Sequence, residues 1–256
     1  MRMRASVSAV LAGLLVVCAV CQGAQAQAIK LVTGNDYQPY SDQDLPYGGL
    51  GTMIVKAVFE NMQQPTEIIF DDWEKGYKGV LDGRYIATFP YIQTTEREKE
   101  MLYSLPLFVV RPTVFSRADS LNVYAEVGDL QGRTMCRPTN WAVDKYLAEW
   151  VTAGKIRIAD APSVPDCFRM LSAGQVDFVS VDRLLGAITA KVVNPTPGWI
   201  RQGQLVKLGN PNYLIVAKSN KNGPALIEAF NRSMGQLTER GVIGELVKRF
   251  FALSNR

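Results

Sequence analysis

Residues 67–89, Glu67-Ile68-Ile69-Phe70-Asp71-Asp72-Trp73-Glu74-Lys75-Gly76-Tyr77-Lys78-Gly79-Val80-Leu81-Asp82-Gly83-Arg84-Tyr85-Ile86-Ala87-Thr88-Phe89, read as strand, helix, strand. Glu67 to Phe70 is a short apolar run, and Trp73, Tyr77, Val80 and Leu81 then recur at helical spacing up to Gly83. Tyr85 to Phe89 is again strand-like. Upstream, Ile29 to Thr33 forms a strand, ended by Gly34-Asn35-Asp36 and the extended Tyr37-Gln38-Pro39-Tyr40. After a loop with Pro46, Gly48 and Gly49, Met53, Val55, Val58 and Phe59 mark a helix that stops before Pro65. Strands alternating with helices predict an α/β protein built on mainly parallel sheets with helices on both faces.

A second round follows Pro106–Val110. Strands are expected at Thr113–Phe115, Arg133–Cys136, Ile156–Ile158 and Val176–Val181. Helices are expected from Thr139 or Asn140 to about Thr152, and from Asp166 as cap through Leu171 to Gly174. Gly83-Arg84-Tyr85-Ile86-Ala87 after one helix and Gly174-Gln175-Val176-Asp177-Phe178 after another echo each other, which suggests two related lobes. A strand at Tyr213–Ala217 and two helices, Pro224–Gln236 and Gly241–Leu253, close the chain.

Composition narrows the functional classes. With 47% hydrophobic and 20% charged residues over 256 positions, the chain is neither disordered nor disulfide-dense. The net charge of +4 is small and unclustered, so nothing favours nucleic acid. There is no histidine, which removes the commonest general base and zinc ligand; no metal or cofactor is expected. Arg2 and Arg4 precede an uncharged run from Ala5 to Val20, and two small-x-small sites end at Ala26 and Ala28. Residues 1–28 are read as a secretory signal peptide cleaved after Ala28, or alternatively after Ala26. The mature chain is therefore expected to be soluble and exported. Cys18 and Cys21 leave with the leader, and with Arg2 and Arg4 gone +4 becomes +2. Cys136 and Cys167 remain, and in an oxidising compartment two leftover cysteines pair. The loop they close, of about 30 residues, is worth roughly 3 kcal/mol in the chain-entropy model. Two separately buried thiols are the alternative.

The mature chain resembles the family 3 periplasmic solute-binding proteins, the polar amino-acid receptors of ABC importers. The resemblance is carried by Thr33-Gly34-Asn35-Asp36-Tyr37-Gln38-Pro39-Tyr40, by Trp73 with Leu81 and Gly83, by Thr94-Thr95-Glu96-Arg97 running into Tyr103-Ser104-Leu105-Pro106-Leu107, and by Leu171-Ser172-Ala173-Gly174-Gln175-Val176-Asp177. It implies a type II periplasmic binding protein: two lobes joined by two hinge strands, with a ligand in the cleft. Residues 29–110 and 211–256 would form lobe 1, and 111–210 lobe 2. It also implies a small-molecule ligand, an amino acid or related carboxylate, a possible inner-membrane permease partner, a monomer, and no catalysis.

Arg97 leads the site candidates. Its guanidinium fork matches a carboxylate, and the resembled receptors grip the ligand α-carboxylate with an arginine at this place. Pairing with Glu96 or Glu100 on a helix surface is the alternative. Asp182, at the end of a buried strand, corresponds to the residue that takes the ligand α-ammonium; capping the next helix is its alternative. Tyr37 and Trp73 offer flat surfaces for stacking, and Tyr37 has a pocket-lining counterpart in the family. Thr139 and Asn140 would bring hydroxyl, amide and helix N–H groups to the anion on Arg97, or else simply cap. Phe89-Pro90-Tyr91 stands where the receptors have a small strand end, so Phe89 and Tyr91 are expected to shrink the pocket. Ile86 stands where an Asp is common, and an acidic residue usual near the first helix is replaced by Gly48-Gly49-Leu50-Gly51-Thr52. The fold also resembles periplasmic cyclohexadienyl dehydratases, for which Glu74 and Glu96 would be the candidate acids. A non-transport accessory or sensor module is a third class; a sensor would continue into a membrane helix and kinase, whereas this sequence stops at Arg256.

Overall fold

The computed structural model describes residues 27–203 and 209–254. The expected leader lies outside the described residues except for Gln27 and Ala28. The chain runs β1 (Ile29–Thr33), α1 (Leu50–Asn61), β2 (Thr66–Phe70), α2 (Trp73–Leu81), β3 (Ala87–Tyr91), α3 (Thr95–Glu100), β4 (Met101–Val110) and β5 (Pro112–Arg117). It continues through β6 (Thr134–Pro138), α4 (Lys145–Thr152), β7 (Arg157–Ala161), α5 (Val164–Ser172), β8 (Phe178–Asp182), α6 (Arg183–Val193), β9 (Ile200–Gln202), β10 (Asn210–Ala217), α7 (Gly223–Glu239) and α8 (Val242–Ser254).

Two five-stranded sheets result, ordered β2-β1-β3-β10-β4 and β7-β6-β8-β5-β9. In each, four strands run the same way and one, β10 or β5, runs against them between its two neighbours, so the sheets are mixed around a parallel half. The sheets belong to two lobes. The chain crosses once at Arg111, between β4 and β5, and returns between β9 and β10. Leu31, Val32 and Thr33 on β1 are all buried, as a strand covered on both faces requires. Phe59 of α1 meets Phe230 of α7 at 5.5 Å between ring centroids, joining the C-terminal helices to the first lobe. In the second lobe α6 approaches β5 closely at Gly186, where a Cβ would stand 2.1 Å from the Phe115 ring. Cys136 on β6 is bonded to Cys167 on α5, with Cα atoms 5.4 Å apart.

Three expected boundaries are corrected. β3 begins at Ala87, later than Tyr85, and runs on through Pro90 to Tyr91. Pro90 has no N–H to give, and the β10 register slips between Tyr213 and Ile215 opposite it. Helix α4 starts at Lys145, not at Thr139 or Asn140, with Asp144 at its N-cap position. Ser163, not Asp166, caps α5: its hydroxyl accepts from the Asp166 N–H.

Candidate functional site

The carboxyl ends of the parallel strands point toward the space between the lobes, where open α/β sheets place their ligands. Behind β1, Thr33 Oγ1 donates to Phe89 O at 2.6 Å and Ser41 Oγ donates to Gly34 O at 2.7 Å, folding residues 34–41 back on themselves. That fold-back buries Tyr37 and Tyr40 at the cleft. Tyr37 donates to Asn212 Oδ1 at 3.4 Å and meets the indole of Trp141, from the other lobe, edge-on at 5.3 Å. Trp73 opens α2, donates through Nε1 to Asn35 O at 2.9 Å, and covers Gly34 so closely that a Cβ there would lie 2.2 Å from the ring.

Tyr91 ends β3. Burial pushes its phenol up to about 12, so the hydroxyl stays protonated and donates to Trp73 O at 3.0 Å. Its ring supports Arg97, whose Cζ lies 4.8 Å from the Tyr91 centroid and 5.8 Å from that of Tyr77. Arg97 Nη1 donates to Ile92 O at 3.1 Å. Neither Glu96 nor Glu100 pairs with it, and among the described residues Arg97 has no ion pair. Glu100 instead accepts from the Tyr77 hydroxyl at 2.7 Å.

Asp182 fills its capping role. Oδ1 accepts from the N–H groups of Leu184 and Leu185 and from the Tyr40 hydroxyl, at 3.0, 3.2 and 3.1 Å, and Oδ2 accepts from Arg111 N at 3.0 Å. Four donors already converge on this carboxylate, three on Oδ1 and one on Oδ2, which leaves only Oδ2 with room for a further donor such as an ammonium. The arrangement fixes the first crossover to α6. Thr139 is exposed, donates to Ala161 O at 3.1 Å, and lies away from the cavity. Asn140, at φ 66°, donates to Glu74 Oε2 at 2.7 Å, tying the lobes together across the cleft mouth. Because α4 begins later, neither residue stands at a helix start. Glu74 is half-exposed and held below the usual carboxylate range by Lys78, the wrong direction for a proton donor at neutral pH.

These elements enclose a cavity of about 110 Å³ lined by Arg97, Tyr37, Trp73, Tyr91, Asn140 and Asp182 among the expected residues. An outer chamber of about 1310 Å³ shares Trp73, Tyr91, Arg97, Asn140 and Trp141 with it. Phe89 does not line the cavity: it is fully buried in the core, so only Pro90 and Tyr91 shape the wall. Sequence reasoning missed Trp141, Asp144, Asn210 and Asn212, all on the inner wall. Asp144 was legible as an N-cap before Leu147 and Val151; Asn210 and Asn212 carried no local signal. Among the described residues no group of three or more Cys, Asp and Glu could hold a metal ion, and no helix is long and apolar enough to cross a membrane.

Residues 29–253 match the family model of the bacterial extracellular solute-binding proteins, family 3. The chain belongs to that family. This family 3 protein has no significant match among curated sequences. Among solved structures it is similar to a histidine kinase sensor domain resembling periplasmic binding proteins (TM-score 0.77, 20% identity, 88% of this chain and 96% of the other). It is also similar to an ancestral arginine-binding protein bound to arginine (TM-score 0.75, 18% identity, 89% and 99%). A third is an ancestral amino acid-binding protein, a precursor of cyclohexadienyl dehydratase (TM-score 0.71, 18% identity, 88% and 95%). At such identities the likeness is one of fold, and the family 3 two-lobed architecture is what they share with this chain.

Proposed function

We propose that the protein is a periplasmic receptor, exported by residues 1–28 and acting as a monomer, that captures a small amino-acid-like or carboxylate ligand between its lobes and hands it to an ABC importer. One observation carries the reading: Arg97, free of any ion pair among the described residues, stands on the wall of the interlobe cavity with its guanidinium backed by Tyr91. A buried-edge guanidinium of this kind favours a carboxylate that it can grip bidentately. Tyr91, Tyr37 and Trp73 supply the apolar walls.

Closure needs no chemistry, only a ligand that touches both lobes better when they are shut. The contacts that a closed cleft makes here are Asn140 to Glu74, Tyr37 to Trp141, and Tyr40 to Asp182. The test is native mass spectrometry of freshly purified protein and of Arg97→Ala. The native chain is expected to carry a small-molecule adduct that the variant loses, at a cost in melting temperature of only a few degrees. An adduct retained in full by Arg97→Ala would refute the reading.

A further inference from the structure

Asp144 is a carboxylate at the cleft with no cation paired with it among the described residues. Oδ1 accepts from Asn210 Nδ2 at 2.6 Å and Oδ2 accepts from Ser180 Oγ at 2.8 Å, and Ser180 Oγ is 2.9 Å from the Tyr146 hydroxyl. It stands at the N-cap position of α4 yet makes no side-chain bond to that helix. Its carboxylate is instead turned onto the wall of the inner cavity.

The charged and titratable groups around it come from every neighbouring element. Asp182 at the end of β8 repels it, and Tyr37 and Tyr146 are neutral phenols beside it. Arg97 and Arg137 line the same cavity, but neither pairs with Asp144: Arg137 is held by Asp160 at 2.8 Å, and Arg97 donates from Nη1 to Ile92 O and lies over the Tyr91 ring, with its remaining donors unpaired by any carboxylate among the described residues. Two carboxylates, Asp182 with four donors already on it and Asp144 with two, therefore face a chamber also walled by Tyr37 and Trp141. A carboxylate so placed is costly unless a cation joins it, and aromatic walls favour a cation too.

We infer that Asp144, not Asp182, is the specificity-determining residue of the cleft, and that the inner cavity takes the cationic head group of the ligand, an alkylammonium or a guanidinium. This rests on the receptor reading above. The size agrees: about 110 Å³ is well under the roughly 300–1,000 Å³ of a site for a drug-sized ligand, so a head of a few non-hydrogen atoms fits. The remainder of the ligand extends into the outer chamber past Arg97, which lines both spaces and meets the anionic end. Burial, the largest cause, raises Asp144 to about 6, so an incoming permanent cation finds its partner ionised above that pH and protonated below it.

The test uses n-propylammonium, guanidinium and propionate as probes of the whole chain, followed by intrinsic tryptophan fluorescence and calorimetry. The two cations are expected to bind at least tenfold tighter than propionate. Their binding should weaken by up to tenfold per pH unit below about pH 6. Asp144→Asn should cost at least tenfold and abolish that pH dependence. Asp119→Asn, which removes the same charge from an exposed pair with Arg117, should change neither. Cation binding unaltered in Asp144→Asn would overturn the inference. Propionate binding that depends on Arg97 and survives Asp144→Asn, with no response to cations, would overturn it while leaving the receptor reading intact. Saturable binding of none of the probes, in a protein that also carries no adduct, would overturn both.

Discussion

Replacing Asp144 by Asn should make the protein more stable at neutral pH. Burial lifts this carboxyl from 3.8 to about 6 in the folded protein, against about 3.9 in an unfolded chain. Because the folded-state value is the higher one, the folded state binds the proton more tightly. The stability this lends is present below about pH 4 and is lost as the pH rises through about 6. At about 1.4 kcal/mol for each tenfold change, holding the carboxylate ionised at pH 8 costs about 2–3 kcal/mol. Asn has nearly the same shape, can accept from Asn210 and donate to Ser180, and carries no charge to desolvate. For a chain of this size the gain corresponds to roughly 4–12 °C in melting temperature. Scanning calorimetry of both proteins at pH 8, 6 and 4 should show Asp144→Asn melting higher at pH 8, by less at pH 6, and at the same temperature at pH 4. A variant that melts lower at pH 8, or a difference that does not change with pH, would refute the placement of Asp144 as an uncompensated carboxylate.

Reducing Cys136–Cys167, or changing both residues to Ser, should cost about 3 kcal/mol from the loop it closes, read as a lower urea midpoint whose reduced and oxidised values differ only in the native chain. Gly34→Ala puts a Cβ 2.2 Å from the Trp73 ring, so the indole must shift; the expected result is a changed tryptophan emission spectrum and at least tenfold weaker ligand binding. Gly186→Ala forces a Cβ to within 2.1 Å of the Phe115 ring and should lower stability by about 1–3 kcal/mol in chemical denaturation without touching the cleft.

Much of the fold was legible because the strands and helices carry their own periods. Ile29–Thr33 and the Trp73–Leu81 helix fall where the sequence places them. The misses share a cause: the competing signals were local and the deciding contacts were not. Pro90 looks like a terminator, yet β3 passes through it because the partner strand shifts register there. Pro138-Thr139-Asn140 looks like a helix start, but Asn140 adopts a left-handed conformation and its amide reaches Glu74 in the other lobe, which delays α4 to Lys145. At the site, Tyr37, Trp73, Tyr91 and Arg97 were readable from type and position. Asp182 reads from the sequence first as a ligand contact, with capping as the alternative, and only the three-dimensional arrangement shows four donors already on it. Asn210 is 66 residues from Asp144, a separation at which no sequence pattern registers their contact.

The most direct measurement is a crystal structure of the protein with its carried-over or added ligand, read at the interlobe cavity. The account predicts a small molecule with its anionic end on the Arg97 guanidinium and its cationic head within hydrogen-bond distance of Asp144. Ligand density outside the cleft, or inside it with Arg97 and Asp144 both turned away, would contradict it.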